Sequence, residues 1–241
     1  MLVTGCATFA SVPRQPISAE ARLALALLEE RWHEFSDLRT LAEISIQRGP
    51  ERQQLRGVVL ARAPASVRFE ALSPLGQPLL LATIHDGRLT AYDTTTNEAY
   101  VGRATDDAAG RLLGLPFEPD DLVAMLSGHA VPPKDLRAAE LRPPDTLGPS
   151  LELTGTSDRR RVWLDLDTGV VRQVEVSGSR GARITFQRDD GTARMDGFDV
   201  TAALSMVKAS VRYRNPEFGV QVSPDLFSLT VPKGAKIQDI R

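Results

Sequence analysis

The chain has 241 residues, with Lys+Arg 29 against Asp+Glu 31 and a formal net charge of −2. No basic surplus is available for a phosphate backbone, which argues against nucleic acid as the main partner. A 42% hydrophobic, 25% charged composition is that of a globular chain long enough to bury a core without disulfide or metal. The single cysteine, Cys6, has no partner for an internal disulfide, and His33, His85 and His129 are too scattered to suggest a metal site. No cofactor is expected.

The N-terminus reads Met1-Leu2-Val3-Thr4-Gly5-Cys6. An apolar residue, two small residues and a cysteine resemble the bacterial lipobox, in which the thiol of Cys6 receives a diacylglycerol. That resemblance implies a basic and apolar signal upstream of Met1. Ala7 at the next position implies sorting to the outer membrane rather than inner-membrane retention. Residues 1–18 read as lipobox remnant and tether, and 19–241 as one domain. No apolar run of 18 residues or more is present, so no membrane-spanning helix is expected.

Ser18 is placed to cap a helix over Ala19–Phe35, with Leu23, Leu27, Leu28 and Trp32 at near-helical spacing. A meander follows. Leu41–Arg48, Leu55–Arg62, Ser66–Leu72, Leu79–His85, Arg88–Asp93 and Asn97–Arg103 alternate as strands, with Asp86-Gly87 as a hairpin turn. The pattern then turns helical across a lid of about 104–128, with one helix over Ala108–Leu113 and another starting at Pro119 and stopped by Gly128. Its leucines imply that it covers an apolar space. Val131–Pro149, rich in proline and charge, reads as a connection. Strands resume at Leu151–Thr154, Arg161–Asp165, Val170–Val176, Ala182–Arg188, Thr192–Val200 and Met206–Arg214, and Phe227–Pro232 reads as the closing strand. The expected fold is mainly β (α+β): an incomplete, strongly curved antiparallel barrel of about eleven strands with an N-terminal helix and a mid-chain helical lid.

No catalytic motif emerges. G-x-S-x-G, P-loop, G-x-G-x-x-G and H-E-x-x-H patterns are all absent. The pairs Asp106-Asp107, Asp120-Asp121 and Asp189-Asp190 fall at helix starts or turns, where carboxylates are favoured for local reasons. Arg159-Arg160-Arg161 follows a Ser157-Asp158 turn and reads as a solvated hairpin tip. The chain is therefore expected not to be an enzyme.

The order Pro74-Leu75-Gly76, Leu113-Gly114-Leu115-Pro116 and Leu126-Ser127-Gly128, closed by Phe227-Ser228-Leu229-Thr230-Val231-Pro232, resembles the LolB-like outer-membrane lipoprotein receptors of the LolA/LolB superfamily. The resemblance implies a lipoprotein on the periplasmic face of the outer membrane, anchored through Cys6. It would bind acyl chains of lipids or lipoproteins and take them from a periplasmic LolA-like carrier. The expected cavity residues are Val67, Phe69, Leu81, Ile84, Leu112, Leu115, Leu122 and Leu126, and a monomer is expected. Leu75, bracketed by Pro74 and Gly76, is an exposed apolar tip. A leucine at a turn needs no function, but in the LolB-like receptors the matching leucine enters the bilayer. The competing readings are an interaction lipoprotein of the same fold with no lipid transfer, and a hydrolase with an unrecognised site.

Overall fold

The computed structural model describes residues 13–104, 118–177, 181–189, 194–202 and 205–240. Helix α1 (Ala19–Glu34) opens where Ser18 Oγ accepts the Ala21 N–H at 3.2 Å. Its buried face is Ala21, Ala24 and Leu28, whereas Leu23 stands in solvent. Two alanines and Leu28, rather than the whole leucine row, thus bring this helix close to the sheet.

The strands form one sheet. β1 (Asp37–Arg48), β2 (Glu51–Arg62), β3 (Ser66–Leu72), β4 (Pro78–His85), β5 (Arg88–Asp93) and β6 (Glu98–Arg103) make the first meander. Helix α2 (Pro119–Ser127) interrupts. β7 (Ala138–Asp145), β8 (Gly148–Thr154), β9 (Arg159–Leu164), β10 (Val171–Ser177), β11 (Ala182–Arg188), β12 (Met195–Ala202) and β13 (Val207–Phe218) make the second. A 3₁₀ turn (Pro224–Phe227) and β14 (Lys236–Ile240) end the chain. The order across the sheet is β14-β6-β5-β4-β3-β2-β1-β13-β12-β11-β10-β9-β8-β7, a curled sheet that does not close.

β1 joins the two meanders, pairing antiparallel with both β2 and β13. Because side chains alternate, every second residue faces inward. Leu38, Ala42, Val59, Ala61, Val67, Ile84, Val162, Ile184, Val200 and Val211 belong to one core with Leu122, Val123 and Leu126 of α2. A second, smaller cluster lies on the convex face: Leu60, Val222 and Phe227.

The expected incomplete barrel is present, with three strands more than the sequence suggested and two departures. The segment read as a connection contains β7, an edge strand whose Pro143 and Pro144 donate no N–H and are tolerated only where one side of the strand is unpaired. Phe227–Pro232 is not the closing strand. Phe227 ends a 3₁₀ turn, and the last strand is β14, which adds to the edge of the sheet parallel to β6. Among the described residues no helix is long and apolar enough to cross a membrane.

Candidate functional site

The concave face is gripped at one end by α2. Asp121 and Arg160 form a two-point ion pair in which Arg160 Nη2 donates to Asp121 Oδ2 at 3.2 Å and Nη1 to Oδ1. Arg160 Nε also donates to Asp158 at 2.8 Å, and Nη1 to the Val131 carbonyl at 3.0 Å. Burial pushes the Asp121 carboxyl above its ordinary range, and Arg160 opposes that push. Lys134 bridges Glu118 and Asp120 at 3.1 and 3.3 Å, in a polar cavity of about 320 Å³ that also includes Trp32.

The other end of α2 is held by the sheet. Gly128, at φ 78°, ends the helix, and the His129 N–H reaches back to the Ala124 carbonyl at 2.8 Å. Tyr213 Oη donates to the Leu126 carbonyl at 2.6 Å, and Arg188 Nη2 to the Gly128 carbonyl at 2.9 Å. Burial drives the Tyr213 hydroxyl far upward, so it remains a donor. His129 packs on Trp32 and Phe35, and burial pushes its imidazole down to about 4. Beneath α2 the interior is nearly full. A residual cavity of about 20 Å³ lies among Ala124, Met125, Val174, Ile184 and Phe186.

Away from α2 the same face opens. Register places Leu55 beside Ile44, Phe69 beside Ala82, Leu80 beside Ala71, and Tyr100 beside Ala91, all on the inner side. Leu55, Phe69, Leu80, Ala82 and Tyr100 are half-buried, as are Ile44 and Ile46. Along β3 the inner positions run from buried Val67 through half-buried Phe69 toward the Ser73–Gln77 turn. Along β4 they run from buried Ile84 back to half-buried Leu80. The result is an apolar trough of half-buried side chains, with Ala71 buried between Phe69 and that hairpin end. Gly57 makes room in it, since a Cβ there would meet the Phe69 ring at 2.6 Å and the Glu70 carbonyl at 2.5 Å.

The residues expected around the cavity divide accordingly. Val67, Phe69, Ile84, Leu122 and Leu126 come together in one apolar cluster. Leu81 does not join them. It pairs with Glu70 and faces the convex side, because the unbroken register from Val67–Ile84 to Ala71–Leu80 puts Ile84, Ala82 and Leu80 on the inner face. Leu112, Leu115 and Cys6 lie outside the described residues. Leu55, Leu80 and Tyr100 were missed. The alternation Leu55-Gly57-Val59-Ala61 was a usable signal for the first.

Leu75 is 87% exposed at the tip of the β3–β4 turn. The Gly76 N–H returns to the Ser73 carbonyl at 2.9 Å, the Ser73 N–H to the Gln77 carbonyl at 2.7 Å, and Gly76 takes φ 79°. This is a three-residue hairpin loop in which the left-handed position falls to glycine.

Among the described residues, one serine–histidine–aspartate line is present. Ser66 Oγ lies 2.9 Å from His85 Nδ1, and His85 Nε2 lies 3.5 Å from Asp86. The Asp86 side chain is 89% exposed in a hairpin turn. A nucleophilic triad needs a buried, hydrogen-bonded carboxylate to orient the imidazole, and this arrangement does not supply one. Among the described residues no group of three His, Cys, Asp or Glu side chains is placed to hold a metal ion.

With this geometry the chain overlays solved structures along most of its length. A LolA superfamily protein from Nitrosomonas europaea matches with TM-score 0.60 at 14% identity, covering 88% of this chain and 99% of that one. The chain has the LolA-like fold. An outer membrane lipoprotein-sorting protein domain from Vibrio parahaemolyticus matches the same LolA-like fold with TM-score 0.61 at 14% identity, covering 86% and 97%. A DUF1329 family protein from Desulfovibrio piger gives TM-score 0.57 at 15% identity, covering 89% and 98%. No protein-family model and no curated protein matches the sequence.

Proposed function

We propose that the protein binds acyl chains of lipids or lipoproteins in the apolar trough and aids their delivery to a membrane. In this reading it sits on the periplasmic face of the outer membrane, tethered through Cys6, and receives its cargo from a LolA-like carrier. The observation that carries the reading is the set of half-buried apolar side chains on the inner face, Phe69, Leu80 and Leu55, beside Val67 and Ile84 sealed under α2. A half-open apolar strip on a concave surface suits a chain without polar recognition, since each methylene removed from water contributes about 0.8 kcal/mol. The relatives of this fold include a domain named for outer membrane lipoprotein sorting. Leu75, at the hairpin end onto which the trough opens, is the residue that would meet the bilayer.

The test uses the parity of β4. Leu80→Glu should weaken binding of a fluorescent fatty acid at least about tenfold, because a carboxylate in the trough is costly to desolvate. Leu81→Glu, on the opposite face, should leave it unchanged. Equal affinities for the two variants would overturn the acyl-chain reading.

A second reading rests on the filled space beneath α2, where only about 20 Å³ remains. An interaction lipoprotein of this fold needs no room for cargo. Native mass spectrometry of protein extracted from membranes separates the two. Co-purified lipid supports the first, and a lipid-free chain that also fails to bind fatty acid supports the second.

A further inference from the structure

The convex face carries a second cleft, on the opposite side of the sheet from the trough. After Phe227 the chain crosses β4, β5 and β6 as a strap before pairing as β14. Both ends of the strap are fixed. Arg68 Nη1 donates to the Leu226 carbonyl at 2.8 Å, and Phe227 is buried against Leu60 and Val222. At the far end Asn97 Nδ2 donates to the Gly234 carbonyl at 3.1 Å, and Lys236 pairs with Glu98 at 2.9 Å. Among the described residues, no backbone hydrogen bond between these anchors ties Leu229, Thr230 or Val231 to the sheet. A cleft of about 570 Å³ remains beneath the strap, within the range of small-ligand sites.

Its walls are amphipathic. Phe227, Leu229, Val231 and Ile237 form the strap side, with Val101 opposite and the cross-strand pair Thr83 and Thr90 as floor. The cleft continues along Arg88 and Val101 to Arg103. Arg88 and Arg103 are direct cross-strand partners, so the two cationic side chains leave the sheet from opposed positions on one face. Like charges directly opposite are destabilising. Among the described residues no carboxylate lies within ion-pairing distance of either arginine, although Asp86 and Asp239 share the cleft walls.

We propose that this cleft binds a single-chain amphipathic anion, with its apolar tail beneath the strap and its carboxylate or phosphate head on Arg88 and Arg103. The head would relieve the repulsion between the two guanidinium groups through charge-assisted hydrogen bonds. The tail would cover strap side chains that now face the cleft. The site is distinct from the concave trough and does not depend on the acyl-chain reading of that trough.

Calorimetric titration of the purified chain with dodecanoate, dodecyl phosphate and dodecanol tests it. The two anions separate a fatty-acid source from a phospholipid-like one. At least one anion should bind at least tenfold more tightly than dodecanol. The exposed double variant Arg88→Gln/Arg103→Gln should lose at least tenfold for that anion, while Arg88→Lys/Arg103→Lys keeps most of the affinity. A diazirine-bearing dodecanoate should crosslink within 227–237 or 83–90. In Leu80→Glu, where any trough binding is weakened, the component of binding that depends on Arg88 and Arg103 and the crosslink within 227–237 or 83–90 should remain. Equal binding of dodecanol, affinity within twofold in the Gln double variant, or crosslinks confined to Leu55, Phe69, Leu80 and Tyr100 would each overturn the proposal.

Discussion

Replacing Tyr213 with phenylalanine isolates one of the contacts that hold α2 across the concave face. The ring would stay, together with its edge contact to Phe198 at 6.3 Å. Only the hydroxyl is lost, and with it the 2.6 Å hydrogen bond to the Leu126 carbonyl. That carbonyl belongs to the last turn of the helix, where no later backbone N–H is available within the helix. A net hydrogen bond is worth about 0.5–1.5 kcal/mol, and a buried acceptor left unsatisfied costs about 1–3 kcal/mol. Because the substitution opens no cavity, the loss should be about 2 kcal/mol. At roughly 2–4 °C per kcal/mol for a chain of this size, the thermal midpoint should fall by about 4–8 °C. Urea unfolding measures the free energy directly. Amide exchange at Gly128 and His129, whose N–H groups close the helix end, should accelerate in parallel. A loss below about 0.5 kcal/mol with unchanged exchange would refute the argument that the sheet pins α2.

Three further outcomes are expected. Gly57→Ala should destabilise by about 1–3 kcal/mol, because the added methyl meets the Glu70 carbonyl and the Phe69 ring, and chemical denaturation measures this. His129, held down to about 4 by burial and by Arg188 and Arg31, is kept neutral by the fold. Its contribution is complete above about pH 6.5 and lost as pH falls toward 4, by about 3 kcal/mol in all at 1.36 kcal/mol per pH unit. Thermal midpoints of wild type and His129→Gln should therefore diverge above pH 6.5 and converge toward pH 4, and parallel curves would contradict this. Leu75→Glu should change stability by no more than about 0.5 kcal/mol, because the side chain is exposed. It should at the same time reduce transfer of lipid cargo to liposomes, and normal transfer would remove the membrane role of Leu75.

Most strands were legible because alternation is a local property. Val67 and Phe69 share a face whatever they pair with, and both lie on the inner side of β3. The Leu79-Leu80-Leu81 run offers apolar side chains to both faces, so its parity is decided by pairing. Leu80 opposite Ala71, in unbroken register with Val67 opposite Ile84, settles it. β14 was illegible for a related reason. Lys236–Ile240 is short and mostly exposed, and it becomes a strand only because β6 offers an edge far away in sequence. β7 was hidden by Pro143 and Pro144, which argue against a strand everywhere except at an edge.

The two ends of the concave face ask different things of similar residues. Val67 and Ile84 are sealed by α2 and contribute to stability, whereas Phe69 and Leu80, two and four residues nearer the hairpin end, keep part of their surface in water. A chain selected for stability alone gains by covering such a strip. Gly57 instead lets the Phe69 ring lie against the backbone of β2, where any side chain would clash. The strip also ends at the turn that displays Leu75. An acyl chain leaving the trough along β3 would therefore emerge beside the most exposed large apolar side chain among the described residues. Cargo release and membrane contact could then be served by a single hairpin, with α2 kept closed throughout by Asp121, Tyr213 and Arg188. Loosening α2 through Tyr213→Phe should on this account lower stability without impairing fatty-acid binding, while Leu80→Glu should impair binding with the helix still locked.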